Sequence, residues 1–308
     1  MPTPDDRAFW LRKIGKLAVD KASGDPAPHK PLLLLVVCEL AELGVLGNEI
    51  LPLNGELAFR FAGYWTIVAS RRSQRPDVRM PFYHLKREEF WQPLDAENRL
   101  AVDKKLTTLA RFDTGFRACL EEPEFRRQAR LLLITTYFRP QEQVALGSLL
   151  DLNIPPQSAV REHLPDFTTD EAVQQGREAR FRLTVVPAYN YTCALTRYRL
   201  VTVDSGSIVD AAHIHKFADS RNNAPSNGLA LCKNAHWLFD QGLWSLDDNY
   251  RVIVAHDRFE EMGPAIYLLR EFEHTQILPP DNPLYVPSRR CLEWHRAHHG
   301  FDRNAGAA

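Results

Sequence analysis

Two histidines, an asparagine and two aspartates stand at intervals that could do chemistry. Asn227 follows His213 by 14 positions and His236 follows Asn227 by 9. That spacing accommodates a strand, a turn, a return strand and the first turn of a helix. Asp210 lies three positions before His213, and Asp240 four positions after His236. The reaction suited to such a set is hydrolysis of a phosphodiester. Water attacks a phosphodiester slowly at neutral pH, and imidazole titrates in the range needed to take its proton. The transition state and departing alkoxide gather negative charge, which a divalent cation can neutralise. One histidine as base and another as metal ligand would meet both needs. On a helix, His236 and Asp240 share a face one turn apart and could converge on an ion. On a strand, Asp210 and Ala212 share a face. Ala212 offers no ligand there.

The surrounding residues carry a family resemblance. Tyr191-Thr192-Cys193-Ala194-Leu195-Thr196, Ala211-Ala212-His213-Ile214, Asn227-Gly228-Leu229-Ala230-Leu231-Cys232, His236 and Phe239-Asp240 follow one another in an order that resembles the HNH endonuclease domains of predicted restriction enzymes. The resemblance runs from Arg180 to Val254 and implies a ββα-metal fold. It implies His213 as general base, His236 as metal ligand, and Asn227 either as a brace for the loop carrying the base or as a contact to the metal. It also implies Mg²⁺ or another divalent ion such as Mn²⁺, Ni²⁺ or Co²⁺. Many relatives carry Asp or His immediately before the base, where this chain has Ala212. The second ligand is therefore expected from Asp210 first, or else from Asp240 or solvent. Lys216 replaces a proline common in the family, which alters the loop rather than the reaction. His215, His256, His274 and His295 read as structural or surface residues, and His298-His299 as part of a solvated tail.

Composition bounds what must position these groups. With 308 residues and 44% hydrophobic content, the chain can bury a full core and divide into two domains. A net charge of -1 argues against indiscriminate coating of nucleic acid but leaves room for a local basic face. The five cysteines, Cys38, Cys119, Cys193, Cys232 and Cys291, form no Cys-x-x-Cys pair, which fits a reducing cytoplasm. Some HNH domains hold a structural zinc on two such pairs. Here Thr196 and Ala235 stand at the partner positions, so no structural zinc is expected and Cys193 and Cys232 read as small buried groups. The apolar run Pro31 to Cys38 is too short to span a bilayer, and the N-terminus lacks a signal-peptide core.

The expected class is α+β, with a mainly helical N-terminal DNA-recognition domain (1–140), a linker (141–169) and the nuclease domain with a helical extension (170–308). Apolar residues at helical spacing after Asp5 and Asp6 predict a first helix, and Pro31 and Gly44 bracket a second. Asn54 caps a third over Glu56 to Val68. Further helices are predicted over Lys104–Leu120, Glu122–Tyr137, Asp170–Val186, Met262–Phe272 and Pro287–His298. The prolines between Arg139 and Thr169 predict an interdomain connection.

An HNH core has little surface with which to read DNA, so targeting falls to the N-terminal domain. From Ser70 to Arg87 there are six cations and one acid beside aromatics. Arg71, Arg72, Arg75, Arg79 and Lys86 are the expected backbone contacts. Pro28-His29-Lys30-Pro31-Leu32-Leu33-Leu34-Leu35 and Pro81-Phe82-Tyr83-His84-Leu85 together resemble the sulfur-binding domains that recognise phosphorothioate DNA and occur fused to HNH nucleases. That resemblance spans residues 8–140 and implies an apolar modification pocket, here with His29, Met80, Pro81, Phe82, Tyr83 and His84 as candidates. Relatives tend to have tyrosine where this chain has Met80. Sulfur is larger and more weakly hydrated than oxygen, so an apolar cavity can select it.

The expected function is that of a modification-dependent DNA restriction endonuclease, acting on double-stranded, phosphorothioated DNA, in the cytoplasm and without membrane partners; homodimerisation is open. Two alternatives are a DNA-binding sensor with a weak or inactive HNH domain, and a nuclease for unmodified DNA or RNA.

Overall fold

The computed structural model describes residues 2–22, 24–47, 49–71, 75–154 and 166–301, the side chains of 166–169 excepted. Two compact units emerge: Met1–Ala179 with Thr202–Gly206, and Arg180–Val201 with Ser207–Ala308. Both helices and strands contribute, as the α+β expectation requires.

The first unit begins with α1 (Pro4–Ile14), whose Thr3 and Asp6 form a reciprocal capping box. The second helix, α2 (His29–Glu42), is buried from Lys30 to Cys38 because it is apolar on every side. Gly44, at φ +69°, takes the left-handed conformation that lets the chain leave the helix. After β1 (Ile50–Pro52) comes α3 (Gly55–Val68), capped by Asn54 Oδ1, which accepts from Leu57 N at 2.9 Å. Next are α4 (Arg79–His84) and the strands β2 (Trp91–Leu94) and β3 (Leu109–Phe112). The sheet has the order β1-β3-β2, with β3 antiparallel to both neighbours. Three helices follow: α5 (Thr114–Glu121), α6 (Pro123–Tyr137) and α7 (Pro140–Leu150).

Two sequence expectations change here. The helix predicted over Lys104–Leu120 is split: Leu109–Phe112 pairs as the central strand, and Asp113 Oδ1 accepts from Gly115 N and Phe116 N to start a shorter helix. The stretch 141–169, expected as a linker, holds α7, whose Ala145, Leu146 and Leu149 are buried. Pro140 sits in the first turn of that helix, where it starts rather than breaks it. Residues 155–165 lie outside the described residues.

Helix α8 (Asp166–Ala188) runs from the first unit into the second. Two short strands, β4 (Val201–Thr202) and β5 (Gly206–Ser207), precede β6 (Val209–His213) and the one-turn helix α9 (Phe217–Ser220). Then come β7 (Gly228–Cys232) and α10 (Lys233–Asp240), with β6 and β7 antiparallel and His213 opposite Gly228. Helix α10 packs on both strands through Ala235 and Phe239. The strands β8 (Trp244–Leu246) and β9 (Val252–Val254) form a second hairpin, against which the terminal α11 (Arg289–His298) packs. The helix predicted over Met262–Phe272 is replaced by 3₁₀ turns at Ala265–Tyr267 and Leu269–Phe272. Glu261 there accepts from the amides of Leu269 and Arg270, a local partner that competes with helical pairing. No described helix is long and apolar enough to cross a membrane.

Candidate active site

His213 ends β6, where the chain leaves the hairpin. Its ring lies flat on Phe181 of α8, with centroids 3.9 Å apart and planes 6° from parallel, and Phe217 leans on it at 5.8 Å. His213 Nε2 lies 2.8 Å from Asn223 Oδ1. This contact is compatible with a neutral ring protonated on Nε2. The ring stack and this contact together fix the orientation of the imidazole.

Gly228, opposite His213, leaves room for this stack. A Cβ at that position would lie 2.8 Å from Phe181 Cζ and 2.7 Å from Val185 Cγ2.

Asn227 is fully buried, and its side chain is spent on the backbone. Its Oδ1 accepts from His215 N at 2.8 Å, while Nδ2 donates to the carbonyls of His215 and Asn222, each at 2.9 Å. Of the two roles implied for Asn227, bracing the loop behind His213 is the one this geometry serves.

His236 and Asp240 face the same way on α10, with Nε2 3.4 Å from Oδ2 and both side chains open to solvent. An imidazole and a carboxylate one turn apart could share a divalent ion that completes its shell with water and substrate oxygens. Asp210 is otherwise engaged: its Oδ1 accepts from Arg182 Nε at 2.7 Å and from Ala211 N at 2.9 Å. Among the described residues there is no group of three His, Cys, Asp or Glu placed to hold a metal. Of the two aspartates, Asp240 is the one the structure brings beside His236, while Asp210 pairs with Arg182.

Some of the remaining histidines are structural. His295 is buried, stacked on Phe239 at 3.8 Å, with Nδ1 bonded to Ser245 Oγ at 2.9 Å. Burial, followed by the positive neighbours His299, His298 and Lys216, holds it down to about 3. His215 stacks on Trp294, and Trp294 on His298. His298 thus belongs to a ring column rather than a loose tail. Cys193 is buried and Cys232 half-buried, gathered around Thr196, whose amide donates to Cys193 Sγ at 3.5 Å. The mutual interaction of the two thiols pushes the pKa of Cys232 down and that of Cys193 up.

In the first unit the expected DNA contacts scatter. Arg71 turns inward, with its side chain 3% exposed and ion-paired with Glu142 at 2.9 Å. Buried and neutralised, it is a brace rather than a phosphate contact. Arg72 lies outside the described residues. Arg75 is exposed, and Arg79 is paired with Asp204. Lys86 reaches the Tyr83 hydroxyl and sits over its ring at 4.0 Å.

The pocket candidates divide too. Phe82 cannot line an opening, because its ring is fully buried edge-on against Trp91. Pro81 is buried, and His29 lies against Trp65 at 4.8 Å. Tyr83 Oη donates to Val102 O at 2.5 Å, and Met80 is exposed, its sulfur 3.2 Å from Lys104 Nζ. His84 is exposed, and partial burial together with Lys30, Lys86, Arg87 and Lys104 pushes its pKa down. Of these, Lys30 is buried against Glu88 at 2.7 Å and Lys104 pairs with Asp77 at 3.4 Å, so His84, Lys86 and Arg87 are the cationic groups that face solvent. Lys30 and Lys104 came from separate stretches of sequence and were not among the expected contacts.

Residues 193–247 match the HNH endonuclease family. That segment, which includes β6, β7 and α10, is an HNH endonuclease domain. Among solved structures, the chain is similar to the modification-dependent TagI restriction endonuclease, at 21% identity and a TM-score of 0.29. The likeness covers 39% of this chain and 37% of that enzyme's length. No match to a curated protein was found.

Proposed function

We propose that this chain is a divalent-metal-dependent DNA endonuclease of the modification-dependent restriction type. The orientation of His213 carries the reading: its ring is stacked on Phe181 and its Nε2 faces Asn223 Oδ1, within an HNH domain. His213 takes a proton from the attacking water through Nδ1. His236 and Asp240 would hold Mg²⁺, Mn²⁺, Ni²⁺ or Co²⁺, which would offset the charge that grows on the phosphate and leaving oxygen. Asn227 keeps the loop after His213 in place through its three backbone hydrogen bonds.

Targeting falls to the first unit. The solvent-facing His84, Lys86 and Arg87, with the half-exposed Lys104, support DNA backbone binding. The exposed Met80 supplies a soft, apolar surface beside them, suited to the sulfur of phosphorothioated DNA.

The test is to challenge the protein with matched plain, phosphorothioated and methylated plasmids, with divalent ion and with chelator. The proposal expects cleavage only with metal, and fastest on phosphorothioated plasmid. Equal cutting of all three would remove the modification reading and leave the nuclease. Binding without cutting under any divalent ion would point to a sensor.

A further inference from the structure

Of the six tryptophans, Trp10, Trp65, Trp91 and Trp244 are buried and Trp294 is half-buried in its ring stack. Trp237 is 60% exposed. Hiding an indole is normally among the larger gains a fold can make, and this one stands in water one residue from His236.

Its place on α10 shows what it borders. At 100° per residue, Ala235 and Phe239 point to the core, and the helix surface then runs through His236, Asp240, Lys233 and Trp237 in that angular order. Burial follows this order: Ala235 and Phe239 are buried, His236 is half-buried, and Asp240, Lys233 and Trp237 are exposed. Lys233 and Trp237 are one turn apart, the pairing of a cation with a flat apolar surface. They continue the face that carries the candidate metal pair, away from the core.

We infer that Trp237 and Lys233 form a strand-holding surface for the nucleotide next to the scissile phosphate. Lys233 meets a backbone phosphate, and the indole packs on the deoxyribose and base face. The inference rests on the nuclease reading, because a scissile phosphate meeting the ion that His236 and Asp240 would hold brings the adjoining nucleotide along this strip. Exposed indole beside ammonium matches the alternation of apolar and anionic surface along a nucleic acid strand. Trp237 is thereby a positioning residue, with no part in proton transfer.

The experiment uses the full chain, in chelator, with a short plain DNA duplex as probe. Tryptophan emission should be quenched on adding DNA, and Trp237→Phe should lose most of that quenching while keeping most of the affinity. Trp237→Ala should bind about tenfold more weakly, the loss expected for one stacking contact. With divalent ion, it should show a raised KM and a nearly unchanged kcat. Lys233→Gln should weaken binding and reduce its salt dependence. Circular dichroism should show all three variants folded, since neither side chain is buried. Identical quenching in Trp237→Phe, or wild-type affinity in Trp237→Ala, would overturn the inference. So would a change in oligomeric mass on Trp237→Ala, which would assign the indole to a protein contact. Failure of the nuclease reading looks different, as absence of cleavage by the wild-type chain under every divalent ion.

Discussion

His213 Nε2 lies 2.8 Å from the amide oxygen of Asn223, ten residues further along the chain. In the proposed mechanism that contact holds the ring protonated on Nε2, leaving Nδ1 as the base. Replacing Asn223 by Ala frees the tautomer while leaving the ring in place on Phe181. Asn223→Ala should lower kcat by about tenfold, part of the roughly 10²–10⁴-fold a positioned base supplies, with DNA affinity unchanged. Asn223→Asp, which keeps an acceptor, should recover much of the loss. Unaltered kcat in Asn223→Ala would remove this residue from the machinery.

Gly228 guards the same geometry from below. Its added Cβ would press on Phe181 and Val185 at under 3 Å. Gly228→Ala should therefore cost about 2 kcal/mol in urea denaturation, within the usual range for overpacking, and slow cleavage by displacing the ring under His213. Shortening the obstacle with Phe181→Leu in the same chain should restore part of the stability. Strictly additive effects of the two changes would argue against a shared contact.

The buried His295 makes stability depend on pH. Folded, it takes a proton only near pH 3, whereas an unfolded histidine does so near 6.5. Between those values the unfolded state binds more protons, so this contribution is complete above 6.5 and is lost progressively as pH falls toward 3. His299, pushed down to about 4 by burial and by His298, Lys216 and Arg258, acts in the same direction. In chemical denaturation across this window, His295→Gln should flatten the pH dependence relative to wild type. Parallel curves would show that His295 does not titrate with unfolding.

The cations around His84 should behave as backbone contacts. Lys86→Gln, Arg87→Gln and Lys104→Gln should each weaken binding to plain and phosphorothioated duplex alike and reduce the logarithmic salt slope by about one. Arg71→Gln should instead reduce stability, because it strands the buried Glu142 carboxylate. A salt slope unmoved by all three surface changes would place the DNA elsewhere on the protein.

Much of this architecture was legible in the sequence where punctuation is local. Asn54 announced α3, and Gly44 marked the end of α2. The intervals from His213 through Asn227 to His236 exposed the nuclease hairpin and helix. Long-range pairing was less visible. Leu109–Phe112 reads within a helical window until β1 and β2 are brought to either side of it. The partners of His213 were hidden for the same reason, since Phe181 and Asn223 carry no signal until α8 and the loop after β6 converge. Charge misled at Arg71, because a run of cations does not disclose which one a distant Glu142 will draw inward. At Pro140, a residue read as a connection marker is also a favoured first-turn residue, and only the burial of Leu146 and Leu149 settles which role it plays.

The decisive measurement is conversion of supercoiled plasmid, phosphorothioated and plain, by wild type and His213→Ala with Mg²⁺ or Mn²⁺ and with chelator. Wild type should cut only with metal, and His213→Ala should cut at least about a hundredfold more slowly while binding the same DNA equally well, as expected for loss of a general base. Full cleavage in chelator, or near-normal cleavage by His213→Ala, would contradict a metal-assisted hydrolysis with His213 as its base.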